Sequence, residues 1–229
     1  LATADKNLEA QLVAKGAAAE VEIRARSFKV PFGSALTLED FAANGKADKG
    51  GLTLSEFKGF LFGGMLGGNA RLTWGDAWTL SGEATARQID TARLIPDLMS
   101  SARLEGKANY AMQSTDATRL FDSARVEGAF AIPRGTLLGV DLGSVLQGGA
   151  IRGETKFSEL AGSFVHEQGT TQLRQVRLSQ GNMSASGSVD VDPERKIRGR
   201  VAAELRLTTE MRRSSLTFSG TPSKLEWQR

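Results

Sequence analysis

Few residues of this sequence belong to the types that perform chemistry. His166 is the single histidine, and the chain has no cysteine, so disulfides, cysteine nucleophiles and cysteine-based metal sites are excluded. The segment SFVHEQ predicts a strand in which His166 is exposed on the face opposite Phe164. No second histidine is present to complete a metal site. We therefore expect His166 to be a bystander, neither a base nor a ligand.

The segment VDVDPERK at 189–196 places Asp190 and Asp192 near Glu194. A calcium loop needs more oxygen ligands and a glycine at a fixed position, so a turn at 192–195 explains these residues better. The glycine-rich segment GGMLGG at 63–68 lacks the lysine and the Ser/Thr of a phosphate-binding loop. The sequence shows no nucleophile with a base and an orienting group. We expect a chain that is not an enzyme, with no catalytic residue, metal or cofactor.

Composition narrows the class of partner. The 229 residues include 29 Lys/Arg and 26 Asp/Glu, mixed along the chain for a net charge of +3. Such a mixture of charges does not produce the basic surface that is typical of nucleic-acid binding proteins. We therefore expect no nucleic-acid partner. The apolar segment at 59–68 is too short for a membrane helix, which needs about 20 residues. Because the sequence begins at Leu1, we expect it to be part of a longer chain.

Alternating apolar and polar residues predict β-strands along most of the chain. The pattern is clearest near the C-terminus, where 183–191, 201–207 and 216–218 follow one another with short links. Such links predict an antiparallel meander. Further strands are predicted at 8–15, 18–30, 35–38, 52–62, 69–74, 77–87, 102–112 and 124–133.

Three short segments have helical character and close a repeated unit. The segments are 90–99, 115–122 and 136–147, and Asp90 and Thr115 are the predicted N-caps of the first two. Each follows a strand that begins with an apolar residue, one further residue and a glycine, at Gly82, Gly106 and Gly128. The period of about 22–24 residues is typical of stacked architectures. Glycines at repeated places in strands predict a sheet that curls and has a concave apolar face.

The order of motifs after residue 124 carries a resemblance to a known family. Residues 124–142 read as a strand, a small turn and a Gly-x-Asp-Leu helix. Residues 155–164 fit Thr-x-Phe-x-x-Leu-x-Gly-Ser-Phe, and 185–190 fit Ala-x-Gly-x-Val-Asp. With a hairpin at 50–74 and the ending LTFSGTPSKLEWQR, this order resembles the C-terminal region of AsmA-like proteins of the Gram-negative envelope. One departure is a Gln-Gly turn at 168–169, where that family often has Asp-Gly.

The resemblance implies a fold and a location. The expected fold is mainly β with a few short helices: an elongated, curled antiparallel sheet, or β-groove, with strand-plus-helix repeats. The family resembles bridge-like lipid transfer proteins. The resemblance implies a single periplasmic domain over 1–229, with 35–229 most family-like and 1–34 as additional strands. It also implies a parent chain anchored in the inner membrane that supports phospholipid transport to the outer membrane and envelope integrity.

Phospholipid acyl chains are the partner that such a groove implies. Burial of one CH₂ group is worth about 0.8 kcal/mol, so apolar contact alone could hold a chain of about a dozen carbons, less the entropic costs. The predicted groove residues on the concave face are Phe130, Ile132, Phe164, Val189, Val201, Leu205 and Phe218.

Two alternatives remain open from the sequence. The same seven residues could be an ordinary sheet core that the three helices cover. The chain would then be a non-catalytic structural or interaction module that caps or scaffolds an envelope assembly and adds partner proteins at its sheet edges. An open apolar trough favours transport, whereas a filled core favours the module. An enzyme would need a polar cluster in a pocket, which the sequence does not show.

Overall fold

A computed structural model describes residues 8–15, 18–30, 36–100 and 102–229, which form fourteen strands and three short helical segments. This confirms the predicted mainly β class. The strands are β1 (Leu8–Lys15), β2 (Ala18–Val30), β3 (Leu36–Ala47), β4 (Gly51–Leu61), β5 (Gly64–Thr73), β6 (Trp78–Asp90), β7 (Arg103–Ser114), β8 (Arg125–Leu138), β9 (Glu154–Glu167), β10 (Thr170–Gln180), β11 (Met183–Val191), β12 (Ile197–Arg206), β13 (Met211–Thr221) and β14 (Lys224–Gln228).

The strands form one antiparallel sheet in which every strand lies beside its neighbours in sequence. Most connections are short, as in the hairpin of β10 and β11, where Gln180 pairs with Met183, and the longer ones after β6, β7 and β8 contain the helical segments. Within the described residues β1 and β14 do not pair with each other, so the sheet is open. The predicted antiparallel meander is confirmed.

One predicted strand is much longer in the structure. The sequence indicates 35–38, of which residue 35 lies outside the described residues, whereas β3 continues to Ala47. Asp40 adopts a left-handed φ of 47° at a register shift between Glu39 and Ala42. This β-bulge resets the alternation of inward and outward side chains, which hides the second half of β3 from a period-two pattern.

The three predicted helices are present but short, and each follows a strand as the repeat predicts. The first, α1 (Thr91–Leu94), begins at the predicted cap Asp90, whose side chain accepts a hydrogen bond from the Ala92 N–H. It ends at Leu94, because Ile95 precedes Pro96 and a residue before proline avoids the helical conformation. The second is a 3-10 helix, Ala117–Ser123, capped by Asp116 and not by the predicted Thr115.

The third helix occupies only part of the predicted span 136–147. The first residues of this predicted span belong to the end of β8, which reaches Leu138. The helix itself, α2, covers Leu142–Leu146. Gly139, at a φ of 88°, separates strand from helix. Asp141 caps α2 by accepting a hydrogen bond from the Ser144 N–H at 2.9 Å.

The chain divides into two compact units. Unit 1 comprises the described residues up to Gln88 together with Lys107–Glu127, and unit 2 comprises Ile89–Gly106 and Gly128–Arg229. The assignment of 1–229 to one domain stays a prediction. In unit 1, the 3-10 helix contributes Leu120 to a small core with Met112 and Ala124.

Unit 2 contains the larger core, which extends over β8 to β13 and includes α2. Its buried residues are Met99, Ala102, Ile132, Val140, Leu142, Val145, Leu146, Phe157, Leu160, Leu178, Met183, Ala185, Ala203 and Leu216. The described part of the chain contains no helix long and apolar enough to span a membrane.

Candidate functional site

The seven predicted groove residues all lie in unit 2. Ile132 belongs to its buried core, and Phe130, Val201 and Leu205 pack against that core. The other three lie in one row across the sheet, because the register aligns Phe164 with Leu173, Leu173 with Val189, Val189 with Gly199, and Gly199 with Phe218. Directly paired residues point to the same side of a sheet.

These residues define one surface, here called the apolar face. The row through Phe164 continues from Phe218 to Trp227, which packs against the unit 2 core, so the row and the core share a side of the sheet. Two further rows lie beside it: Val176, Gly187, Val201 and Leu216, then Leu160, Leu178, Ala185 and Ala203. The strand alternation therefore brings the seven predicted residues together.

Two glycines of the apolar face make room for aromatic rings. A Cβ atom at Gly199 would clash with the ring of Phe218, and one at Gly162 would lie 3.1 Å from Cζ of Phe130. Phe218 in turn contacts Trp227, with ring centroids 4.5 Å apart. Glycine within these strands therefore serves close packing of aromatic side chains over the sheet.

The helix α2 covers part of the apolar face. Leu142, Val145 and Leu146 are buried, and α2 contacts β9, β12 and β13. From the sequence alone, the helices could either fill the predicted concave face or leave it open. Where α2 contacts β9, β12 and β13, the helix fills the apolar face. In the row that runs from Phe164 to Trp227, Phe164, Leu173, Val189 and Trp227 are half-buried, whereas Phe218 is buried.

A recess lies where α2 meets the uncovered part of the apolar face. It has a volume of about 60 Å³, is partly open, and is lined almost entirely by apolar atoms. Leu142 of α2 forms one wall, and Val176, Val189 and Val201 lie among its other lining residues. A cavity that holds benzene measures about 150 Å³, so the recess as it stands accommodates only a short apolar segment.

Two buried threonines that were not among the predicted site residues hold the helices of unit 2 in place. The Thr155 hydroxyl donates to the Val140 carbonyl oxygen at 2.7 Å and accepts from the Leu142 N–H at 3.0 Å. At α1, the Thr91 hydroxyl donates to the Ser100 carbonyl oxygen and accepts from the Ala102 N–H. The helix-start pattern could have indicated Thr91, because it follows the cap Asp90 directly.

The predicted position of His166 is wrong. His166 pairs with Thr171 and lies two residues from Phe164 in the same strand, so both side chains point to the same face. Its Nδ1 lies 2.8 Å from the Thr171 hydroxyl oxygen. Burial lowers the pKa of His166 from its ordinary value of 6.5. Among the described residues, no group of three or more His, Asp or Glu side chains could hold a metal ion.

The acidic and glycine-rich segments form turns and surface ion pairs. Asp192 closes the turn at 192–195 by accepting a hydrogen bond from the Lys196 N–H, and Asp190 pairs with Arg174 at 2.6 Å. The segment 63–68 begins in the two-residue turn between β4 and β5, where Gly63 has a φ of 74°. The predicted turn at 192–195 is confirmed.

Comparisons with protein-family models, curated proteins and solved structures returned no match. The resemblance to AsmA-like proteins therefore stays a prediction.

Proposed function

We propose that this chain is a periplasmic part of an inner-membrane-anchored AsmA-like protein that supports phospholipid transport to the outer membrane and envelope integrity. It would do so by shielding acyl chains on the apolar face of unit 2. The observation that supports the proposal most is the row from Phe164 to Trp227. This row crosses six strands in register and continues beyond the part of the face that α2 covers.

Apolar shielding needs no directional chemistry. Each CH₂ group removed from water contributes about 0.8 kcal/mol, so a linear row of apolar side chains can hold an acyl chain without a headgroup site. The opposite face of β11 and β12 carries Ser188, Asp190, Arg198 and Arg200, because these residues alternate with Val189 and Gly199. A sheet with one apolar and one polar face can shield lipid while its other side stays in water.

A second candidate function is a non-catalytic structural or interaction module. It is favoured by the packing of α2, whose Leu142, Val145 and Leu146 are buried like the residues of an ordinary core. The sheet is open at β1 and β14, and an open edge can accept a strand from a partner protein. In this case the apolar face would be dry core, and lipid would not bind.

Lipid extraction from the purified chain separates the two candidates. We expect mass spectrometry to find phospholipid near one molecule per chain, and none above background in a soluble β-protein of similar size. Acyl-chain contact is then located by fluorescence in a Trp74→Phe/Trp78→Phe variant, which retains Trp227 alone. Phospholipid brominated on its acyl chains should quench Trp227, and a chain without lipid or quenching would favour the interaction module.

A matched pair of charge variants tests the face itself. Phe164→Glu places a carboxylate on the apolar face, whereas Val165→Glu places the same charge one residue along the strand, on the opposite face. We expect Phe164→Glu to reduce bound phospholipid at least fivefold and Val165→Glu to leave it unchanged. Circular dichroism confirms that both variants fold. Equal retention of lipid by the two variants would contradict binding on the apolar face.

A further inference from the structure

The part of the apolar face that α2 covers has the same character as the part that it leaves uncovered. Ala203 of β12 and Leu216 of β13 are buried and belong to the core that includes α2. Resting on the proposed function, we propose that the acyl chain binds where α2 now lies. In this exchange, residues 139–149, here called the strap, leave the face while lipid occupies it.

Few polar contacts fasten the strap to the rest of unit 2. The Thr155 hydroxyl bonds the Val140 carbonyl oxygen and the Leu142 N–H at one end. At the other end the Arg229 guanidinium donates a hydrogen bond to the Gly149 carbonyl oxygen. A backbone bond from the Asp141 N–H to the Ile151 carbonyl oxygen, at 2.8 Å, also joins the strap to the segment that follows it. Several other bonds lie within the strap, including Val145 N–H to the Asp141 carbonyl oxygen at 3.0 Å, and can move with it. Departure therefore breaks contacts that are mainly apolar.

Glycines with left-handed backbone conformations flank α2. Gly139 has a φ of 88° and Gly148 a φ of 81°. Nothing lies within 4 Å of a Cβ atom built at either position. Glycine adopts many backbone conformations at little steric cost, so both residues can change their own backbone angles more readily than other residues could. The strap thus has a hinge after β8 and another after α2.

The exchange replaces one set of apolar contacts by a similar set. Val140, Leu142, Val145 and Leu146 are each at most 5 % exposed. Together their side chains contain roughly as many carbon atoms as an acyl chain of about 14 carbons, and apolar burial scales with the area removed from water. The face therefore loses little contact when lipid replaces the strap. The recess beside Leu142 is where the first carbons can enter.

Thiol labelling tests the exchange, and the cysteine-free chain makes each introduced thiol unique. Val145→Cys places a thiol on α2, and Ala203→Cys places one on β12, beneath the core. Each variant of the 229-residue chain is incubated with a maleimide reagent, alone and with vesicles of phosphatidylethanolamine and phosphatidylglycerol. We expect vesicles to accelerate labelling of the Val145→Cys variant at least tenfold. Labelling of the Ala203→Cys variant should stay slow, because the acyl chain covers its thiol. Leu146→Cys provides a second probe on α2.

The labelling rates distinguish the exchange of the strap for lipid from lipid binding without exchange and from unfolding of unit 2. Bound lipid, shown by quenching of Trp227, with no acceleration at either α2 position would overturn the exchange and leave the proposed function intact. Acceleration at position 203 as well would indicate unfolding of unit 2 and would also overturn it. A chain that takes up no lipid overturns the proposed function, and the exchange with it.

Discussion

The Thr155 hydroxyl lies between two backbone groups of the segment that leads into α2, 2.7 Å from the Val140 carbonyl oxygen and 3.0 Å from the Leu142 nitrogen. Thr155 is 3 % exposed and belongs to β9. A single side chain therefore satisfies both a donor and an acceptor at the start of α2. Without it, both backbone groups would be buried without partners.

Replacement of Thr155 by valine should destabilise unit 2 by about 2–4 kcal/mol, because each unsatisfied buried polar group costs about 1–3 kcal/mol. Valine has nearly the same volume as threonine, so the effect reports the hydrogen bonds and not a cavity. Thr155→Ser retains the hydroxyl and is the control, with an expected loss of about 1 kcal/mol for one methyl group. Urea denaturation measures both values, and equal stability of the two variants would contradict the prediction.

The bulge in β10 provides a test of backbone strain. Gln175 is exposed and has a φ of 50°, and the register shifts on both sides of it, against β9 and against β11. A β-branched residue is strongly disfavoured in this conformation. We expect Gln175→Val to lower the free energy of unfolding by about 1–2 kcal/mol, and Gln175→Gly to change it by less than about 0.5 kcal/mol. Equal effects of the two substitutions in urea denaturation would show that the bulge is not retained.

The fold could be predicted wherever strands are half-buried and regular. Met183 to Val191 alternate strictly, and β11 has these residues as its bounds. The pattern failed at β3, where the bulge at Asp40 resets the alternation. The predicted helices were too long because the spacing of apolar residues does not show where a helix ends or begins. Pro96 keeps Ile95 out of the helical conformation, and Gly139 separates β8 from α2.

The candidate site could be predicted in part. Directly paired residues share a face, so Phe164, Val189 and Phe218 come into one row once the register of their strands is known. Residues two apart in a strand also share a face, and this rule, applied with the wrong parity, placed His166 on the face opposite Phe164. The packing of α2 against β12 and β13 could not be predicted, because it joins residues far apart in sequence through core packing that no local pattern records.

The indole N–H of Trp227 makes no hydrogen bond within the described residues. This donor is nevertheless buried. Trp227→Phe removes this donor and keeps a ring beside Phe218, so we expect the free energy of unfolding to change by less than about 1 kcal/mol. Trp227→Leu, which also loses the ring contact, should cost at least about 1 kcal/mol more. A large loss in Trp227→Phe, measured by thermal and urea unfolding, would mean that the N–H has a partner.

His166 should make stability depend on pH in the mildly acidic range. Burial lowers the pKa of the folded imidazole below 6.5, so the unfolded chain binds the proton more readily. The free energy of unfolding should therefore fall as the pH drops below about 6.5. The proton resonances of the single histidine give its pKa directly. His166→Asn should weaken this pH dependence, and an unchanged profile would exclude His166 as its source.

Tyr110 should titrate far above the ordinary range. Its hydroxyl donates a hydrogen bond to the Asn69 carbonyl oxygen at 2.7 Å, and burial raises the pKa of the phenol to about 12. Because the folded phenol holds its proton more tightly than the unfolded one, its contribution to stability is complete below about pH 10 and is lost as the pH rises toward 12. The sequence contains one tyrosine, so phenolate absorbance reports Tyr110 alone. We expect a midpoint near 12 in buffer and near 10 in urea. Tyr110→Phe should remove the alkaline loss of stability, and a midpoint near 10 in the folded protein would show that Tyr110 is not buried.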